Sequence, residues 1–391
     1  MQVAGATGGH AWPDPAAVPL SLYVHLPWCL RKCPYCDFNS HQLKDKVPEA
    51  EYLAALLADF RQSAALVDGR RIDTVFFGGG TPSLFSPAAI GSLLGAIQPW
   101  LAADAEITLE ANPGAVDESR FRGFRAAGVN RLSLGVQSFD DDKLTTLGRI
   151  HGGEDARRAA ELAARHFERF SLDLMYALPG QTPEQAAADV AVALASGAGH
   201  LSCYQLTIEP NTVFHSQPPQ LPADDTAERI EQAVHGALGA AGFQRYEISN
   251  WAQPGQQCRH NLNYWLFGDY LGIGAGAHSK LTAAQGISRQ ARVRVPAGYM
   301  TRIAAGNAVA ERRQLQPAEL PLEFMMNALR LSGGFPLLLA QSRTGLGTGI
   351  LHQVLQPAAT RGLLQLGKDS VVPTSRGLRF LNETLRTLLP D

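Results

Sequence analysis

Apolar residues recur along the chain at two alternating spacings. Residues 21–26 form a short apolar run that reads as a strand. Leu53, Leu56, Leu57 and Phe60 then recur at i, i+3, i+4 and i+7, one stripe of an amphipathic helix. The same exchange repeats down the chain. Strands are predicted at 72–77, 106–111, 131–136, 171–177 and 201–208. Helices are predicted at 88–101, 118–127, 154–168, 183–196 and 224–241. That makes six strand–helix units. Strands alternating with helical patterns imply a parallel sheet with helices outside it. Six units are too few to close an eightfold barrel, so the pattern predicts an α/β fold, an open, partial (β/α)6 barrel. Runs such as Thr74-Val-Phe-Phe77 are rich in large apolar residues, as expected of strands covered on both faces.

After residue 243 the rhythm changes. Residues 243–281 mix short strands with Gly-rich turns such as Gly272-Ile-Gly-Ala-Gly276. A helical block follows at 320–331, and an apolar helix at 378–389 closes the chain. The expected division is a lead-in at 1–19, a core barrel at 20–242, an extension of that core at 243–299, and a small, mainly helical C-terminal domain at 300–391. Composition narrows the class. The 391 residues carry 34 Lys and Arg against 36 Asp and Glu, a net charge of −2. That balance excludes a grossly basic surface made to coat nucleic acid. No run of 18 apolar residues is present, so neither a spanning helix nor a direct membrane anchor is expected. The first 19 residues lack a basic and an apolar signal region, and the expected location is the cytoplasm. Five cysteines are too few, and odd in number, for a disulfide framework.

Three of the five fall within eight residues, as Cys29-Leu-Arg-Lys-Cys33-Pro-Tyr-Cys36. Three thiolates at this spacing can converge on one soft metal centre. A zinc site would need a fourth ligand, with His25 and His41 at hand. An iron–sulfur cluster normally takes four cysteines, and one held by three leaves an iron open to an exogenous ligand. The loop follows the C-terminal end of the first strand, the face that carries chemistry in α/β barrels.

Tyr23-Val-His-Leu-Pro-Trp-Cys29-x3-Cys33-Pro-Tyr-Cys36 resembles the opening motif of the radical S-adenosylmethionine (SAM) superfamily. It is most similar to the oxygen-independent coproporphyrinogen III oxidase-like family. The likeness continues through Phe77-Gly-Gly-Gly-Thr-Pro-Ser83, Glu110-Ala-Asn-Pro113, Leu134-Gly-Val-Gln-Ser-Phe139, Leu147-Gly-Arg-Ile-His151 and Asp173-Leu-Met-Tyr-Ala-Leu-Pro-Gly180, and ends in a C-terminal domain like that of the oxidase. The resemblance implies a radical SAM barrel whose Cys29, Cys33 and Cys36 hold a [4Fe-4S] cluster, with SAM on the fourth iron. It implies that Gly79, Gly80 and Thr81 receive the methionine end of SAM. Glu110 would suit its ammonium or ribose, and Arg149 its carboxylate. Gln137 and Asp173 would reach ribose hydroxyls, and Tyr23 would stand beside cluster and ligand. If SAM is cleaved, the cluster reduces its sulfonium to give methionine and a 5′-deoxyadenosyl radical.

Two features separate branches of that family. The oxidase carries a further cysteine two residues after the third, and here that position is Phe38. In addition, Cys258-Arg-His-Asn-Leu-Asn-Tyr-Trp265 contains His-Asn-x-x-Tyr-Trp, which resembles the signature of the haem chaperone branch. One reading makes His260 an axial haem ligand, with Cys258 as a second candidate. The other makes the segment a buried packing corner. Cys203 is expected in the core. The resulting expectation is a haem chaperone that binds haem, a [4Fe-4S] cluster and SAM, and delivers haem to an acceptor, such as a respiratory haem protein. A homodimer is compatible with it. The alternative is the oxidase itself, a radical SAM decarboxylating dehydrogenase.

Overall fold

A computed structural model describes residues 11–67 and 69–389; the first ten residues of the lead-in lie outside the described part. Its framework is six parallel strands: β1 (Leu20–Leu26), β2 (Ile72–Gly79), β3 (Leu101–Ala111), β4 (Arg131–Gln137), β5 (Arg169–Tyr176) and β6 (His200–Gln205). They are adjacent in chain order, as right-handed βα crossovers produce. The intervening helices are α1 (Glu49–Ala64), α2 (Pro87–Ile97), α3 (Glu118–Ala127), α4 (Gly153–His166) and α5 (Pro183–Ala195), with α6 (Asp224–Ala240) after β6. Their starts are written locally. Ser86 accepts from Ala89 N ahead of Pro87, Asp117 accepts from Arg120 N, and Thr182 forms a capping box with Gln185.

Both edges of the barrel sheet are extended by the segment after residue 243. On one side β7 (Gln244–Arg245) and β8 (Asn250–Ala252) add antiparallel beyond β6. On the other, β9 (Asp269–Ile273) lies parallel to β1, followed by antiparallel β10 (His278–Ala283), β11 (Gly286–Arg292) and β12 (Val309–Gln314). The sheet has twelve strands, in the order β12-β11-β10-β9-β1-β2-β3-β4-β5-β6-β8-β7. The sequence pattern draws the last boundary at residue 300, whereas β12 carries the main sheet on to Gln314. The terminal helix expected at 378–389 is two short helices, Ser375–Arg379 and Leu381–Arg386, meeting at Phe380.

The strands are apolar on one face only. Leu22, Val24, Phe77, Leu109 and Leu172 are fully covered and pack with Leu56, Phe60, Ile90 and Leu93 of the helices, each worth about 1.5–3 kcal/mol of burial. The alternate positions face the barrel lumen and are polar: Ser21, Tyr23 and His25; Thr74; Glu106, Thr108 and Glu110; Arg131, Ser133 and Gln137; Ser171 and Asp173; His200, Ser202 and Tyr204. The strands are covered on both faces as expected, but apart from residues such as Phe76, which packs against Tyr23 and His260, the lumen face holds polar groups rather than packed aliphatic layers.

The lower end of the lumen, at the strand N-termini, is closed by α7 (Arg259–Trp265). Glu106 anchors it, accepting from His260 N at 3.2 Å and facing Arg131 and Arg169 at 3.5 and 3.2 Å. A second core, around Phe324 and Leu355, organises the C-terminal helices, including α8 (Leu320–Ala328), and takes in Phe267 and Ile287 from the barrel extension.

Candidate functional site

The C-terminal ends of β1–β6 open into a cleft of about 710 Å³. Cys29, Cys33 and Cys36 line it from the loop after β1, together with Gly79, Gly80, Thr81, Glu110, Gln137, Arg149 and Asp173. The structure therefore brings together ten of the residues named from sequence. Tyr23, Cys258 and His260 do not line it.

The cysteine loop is held at its base. Trp28–Cys29 and His41–Gln42 pair in parallel, and Leu43 N donates to Cys29 O at 2.9 Å. Asn39 ties its far side down, donating through Nδ2 to the Ala275 and Arg294 carbonyls at 2.9 Å each. Polar groups attend each thiol. Thr81 Oγ1 is 3.5 Å from Cys29 Sγ, Arg149 Nη1 is 3.6 Å from Cys33 Sγ, and Ser40 Oγ is 3.7 Å from Cys36 Sγ. Such donors stabilise sulfur that bears negative charge, as it does when bound to iron. Burial pushes the free thiols of Cys29 and Cys36 above their ordinary range. His25 is no free metal ligand. Its Nε2 donates to the Asn39 carbonyl at 2.9 Å, and its Nδ1 accepts from the Tyr23 hydroxyl at 3.1 Å. Burial lowers its pKa to about 4, so the ring is neutral. Among the described residues, no three His, Cys, Asp or Glu side chains close on one point as ligands of a single ion would.

The fold itself also requires the glycines. Gly79 has φ +115°, and a Cβ there would stand 2.5 Å from the His25 ring; one on Gly80 would stand 2.6 Å from the Trp28 carbonyl. Their smallness lets β2 approach β1 and its loop, and so sets the cleft floor. Tyr23 packs against Phe76, and its hydroxyl bonds His25, which in turn holds the loop at Asn39.

The polar wall runs across the strand ends. Glu110 Oε2 accepts from Gly79 N at 3.2 Å, and burial together with the facing Asp173 raises its pKa to about 8. Asp173 accepts from Ser133 Oγ at 3.2 and 3.1 Å, and burial raises its pKa to about 6. Gln137 is left-handed at φ 72°, an uncommon conformation for a non-glycine residue. Its Oε1 is buried without a partner, and so is Nε of Arg149. One carboxyl that burial keeps protonated near neutral pH, Glu110, and a second whose pKa is raised, Asp173, beside an unpaired amide oxygen and a guanidinium, suit a ligand bearing positive charge, hydroxyls and a carboxylate. SAM has all three, and the residues present fit it. Ser133, Tyr204 and Arg330 also line the cleft and escape the sequence reading. Ser133 and Tyr204 could have been found from the every-second-residue polar pattern of their strands.

The other motif lies at the opposite end of the barrel. His260 is 1% exposed. Its Nδ1 lies 2.7 Å from Thr74 Oγ1, which donates onward to Ser21 Oγ at 2.7 Å. Thr74 therefore accepts from Nδ1–H, leaving Nε2 to accept from the Tyr264 hydroxyl at 2.9 Å. The lone pair an iron would need is taken, and burial lowers the pKa of the ring to about 3. Cys258 is buried too, its thiol 3.6 Å from Glu106 Oε1, and burial raises its pKa to about 12. Buried and hydrogen-bonded in this way, His260 and Cys258 have the geometry of the packing corner, one of the two readings the sequence offers. Cys203 is buried in the core.

A cysteine loop of this spacing over the open end of a partial barrel defines a radical SAM protein. The Radical SAM superfamily model matches residues 23–191, and the HemN C-terminal domain model matches residues 315–380. Within that class the chain belongs to the HemW family. It is 48% identical to Heme chaperone HemW of Escherichia coli (strain K12), over 95% of this chain and 99% of that one. It is 44% identical to Heme chaperone HemW of Haemophilus influenzae, over 96% and 100%. The solved structure of the coproporphyrinogen III oxidase HemN from Escherichia coli, a radical SAM enzyme, has the same fold, with a TM-score of 0.80 at 24% identity, covering 95% of this chain and 90% of that one. Radical SAM membership implies a [4Fe-4S] cluster and SAM. No helix among the described residues is long and apolar enough to cross a membrane.

Proposed function

We propose that this protein is a haem chaperone, which binds haem alongside a [4Fe-4S] cluster and SAM and passes the haem to an acceptor protein. The observation that carries this reading is 48% identity to a protein named as a heme chaperone, over 99% of that protein's length. Phe38, standing where the oxidase branch has a further cysteine, supports it. In this reading Cys29, Cys33 and Cys36 hold the cluster. Thr81, Glu110, Gln137, Arg149 and Asp173 hold SAM, with Gly79 and Gly80 shaping its floor. A cluster bound there would supply the reducing electron that cleavage of SAM needs. The chain's own part is to orient the ligand, exclude water and offset its charges. The acceptor is a respiratory haem protein reached from the cytoplasm, and the chaperone pairs as a homodimer.

One anaerobically reconstituted sample tests the reading. Haemin is titrated while the Soret band is recorded, and coproporphyrinogen III with SAM is then assayed for turnover. Saturable haem binding without protoporphyrinogen formation is expected. Protoporphyrinogen formation would sink the chaperone reading in favour of the oxidase. Cys33→Ala should lower bound iron well below four per chain; an intact cluster in that variant would remove Cys33 as a ligand. Sedimentation velocity of the same sample tests the dimer.

A further inference from the structure

The haem-binding reading leaves open where haem sits. The interior offers little. The lower lumen is closed by α7, and the nitrogen lone pair of His260 is occupied by Tyr264. The upper cleft, at about 710 Å³, is in the size range of one small-molecule site, and its residues fit the cluster and SAM.

The rim of that cleft is different in character. Leu30, Phe38 and Ile150 are 46%, 64% and 43% exposed. Leu30 and Phe38 belong to the cysteine loop, and Ile150 follows Arg149. Leu30 and Ile150 line one small hollow, Phe38 lines the main cleft, and Arg31 lines both. Arg31 therefore borders both hollows, with the three apolar side chains distributed between their linings. Arg31 is exposed and makes no ion pair or side-chain hydrogen bond among the described residues. Lys32 lies next to it, its Nζ 3.3 Å from the Phe38 and Ser40 carbonyls. Exposed apolar side chains gathered around a site mark an interaction surface. Here they are interleaved with positive charge.

We infer that this rim is the haem-docking site. The macrocycle lies over Leu30, Phe38 and Ile150, and a propionate pairs with the Arg31 guanidinium above the cluster cleft rather than inside it. The inference rests on the haem-chaperone reading. Haem matches the surface in both respects: its body is flat and apolar, and its carboxylates lie along one edge. Phe38 offers a ring face for stacking, and a guanidinium is a good partner for a carboxylate. On an open rim the bound haem remains accessible, as transfer to another protein requires.

The test is a haemin titration of the full-length reconstituted protein, followed by the Soret band. The variants are Leu30→Ser/Phe38→Ser and Arg31→Glu, with thermal melts to confirm folding. The double variant should weaken haemin binding at least about tenfold. Arg31→Glu should weaken it about threefold to tenfold and remove the salt dependence expected of the wild type. If both variants bind as the wild type does, the rim is not the site. If the wild type itself shows no saturable Soret change, the haem-chaperone reading falls, and the site falls with it.

Discussion

Glu110 and Asp173 show how single residues report on what the cleft is for. Burial shifts both toward the protonated form, with the pKa of Glu110 raised from 4.5 to about 8 and that of Asp173 from 3.8 to about 6. Between the ordinary and the raised value, the folded protein binds more protons than the unfolded chain. Stability therefore falls as pH rises through that window. SAM-free protein should show a falling Tm from about pH 4.5 to about pH 8, and Glu110→Gln should flatten the decline. Melts across a pH series would check this. A bound cation favours both carboxylates, so SAM binding near neutral pH should release protons, measurable by calorimetry in two buffers of different ionisation enthalpy. His260 reports the opposite. It is neutral, buried and paired at both nitrogens. His260→Ala should cost roughly 2–4 kcal/mol in denaturant unfolding, from a cavity and an unpaired Thr74. Haemin affinity should be unchanged. The motif was legible in the sequence, which left a haem ligand and a buried packing corner both open, because only packing decides whether an imidazole keeps a free lone pair.

At the scale of elements, the cysteine loop is positioned by what lies beneath it. His25 near the end of β1 holds Asn39, Asn39 holds the Ala275 and Arg294 carbonyls just past β9 and β11, and Gly79 leaves the room His25 needs. Gly79→Ala places a Cβ into the His25 ring at a φ that side chains rarely adopt, so roughly 1–3 kcal/mol of destabilisation is expected. Iron retention after reconstitution should fall with it, since the loop loses its support. A Gly79→Ala variant with wild-type iron content and melting temperature would contradict that linkage. The six strand–helix units were readable from apolar spacing because each helix buries one stripe. The polar lumen was readable in principle: in β4 the polar residues Arg131, Ser133 and Gln137 fall on alternate positions. The large apolar residues between them dominate any reading by composition.

For the whole molecule, the second core decides how far the C-terminal part stands alone. It includes Phe267 and Ile287 of the barrel extension beside Phe324, Leu351 and Leu355. Arg330 of the same part pairs with Glu247 at 2.9 Å and lies over the Trp265 ring at 4.3 Å. Deleting residues 315–391 would bare Phe267 and Ile287. The truncated chain should aggregate or melt well below the full chain, and a soluble, cooperatively folded 1–314 would show the two cores to be separable. The sequence by itself determined the alternation of strands and helices, the three thiols on the loop after β1, and the polar residues at the strand ends. Each of these is written in local spacing, which backbone geometry converts directly into faces and ends. Only the tertiary structure decided that residues after 243 complete both edges of one sheet, that His260 plugs the closed end, and that Phe38 and Arg31 stand at the open one. Those outcomes depend on pairings between residues far apart in the chain, and on which polar atoms find partners once water is excluded.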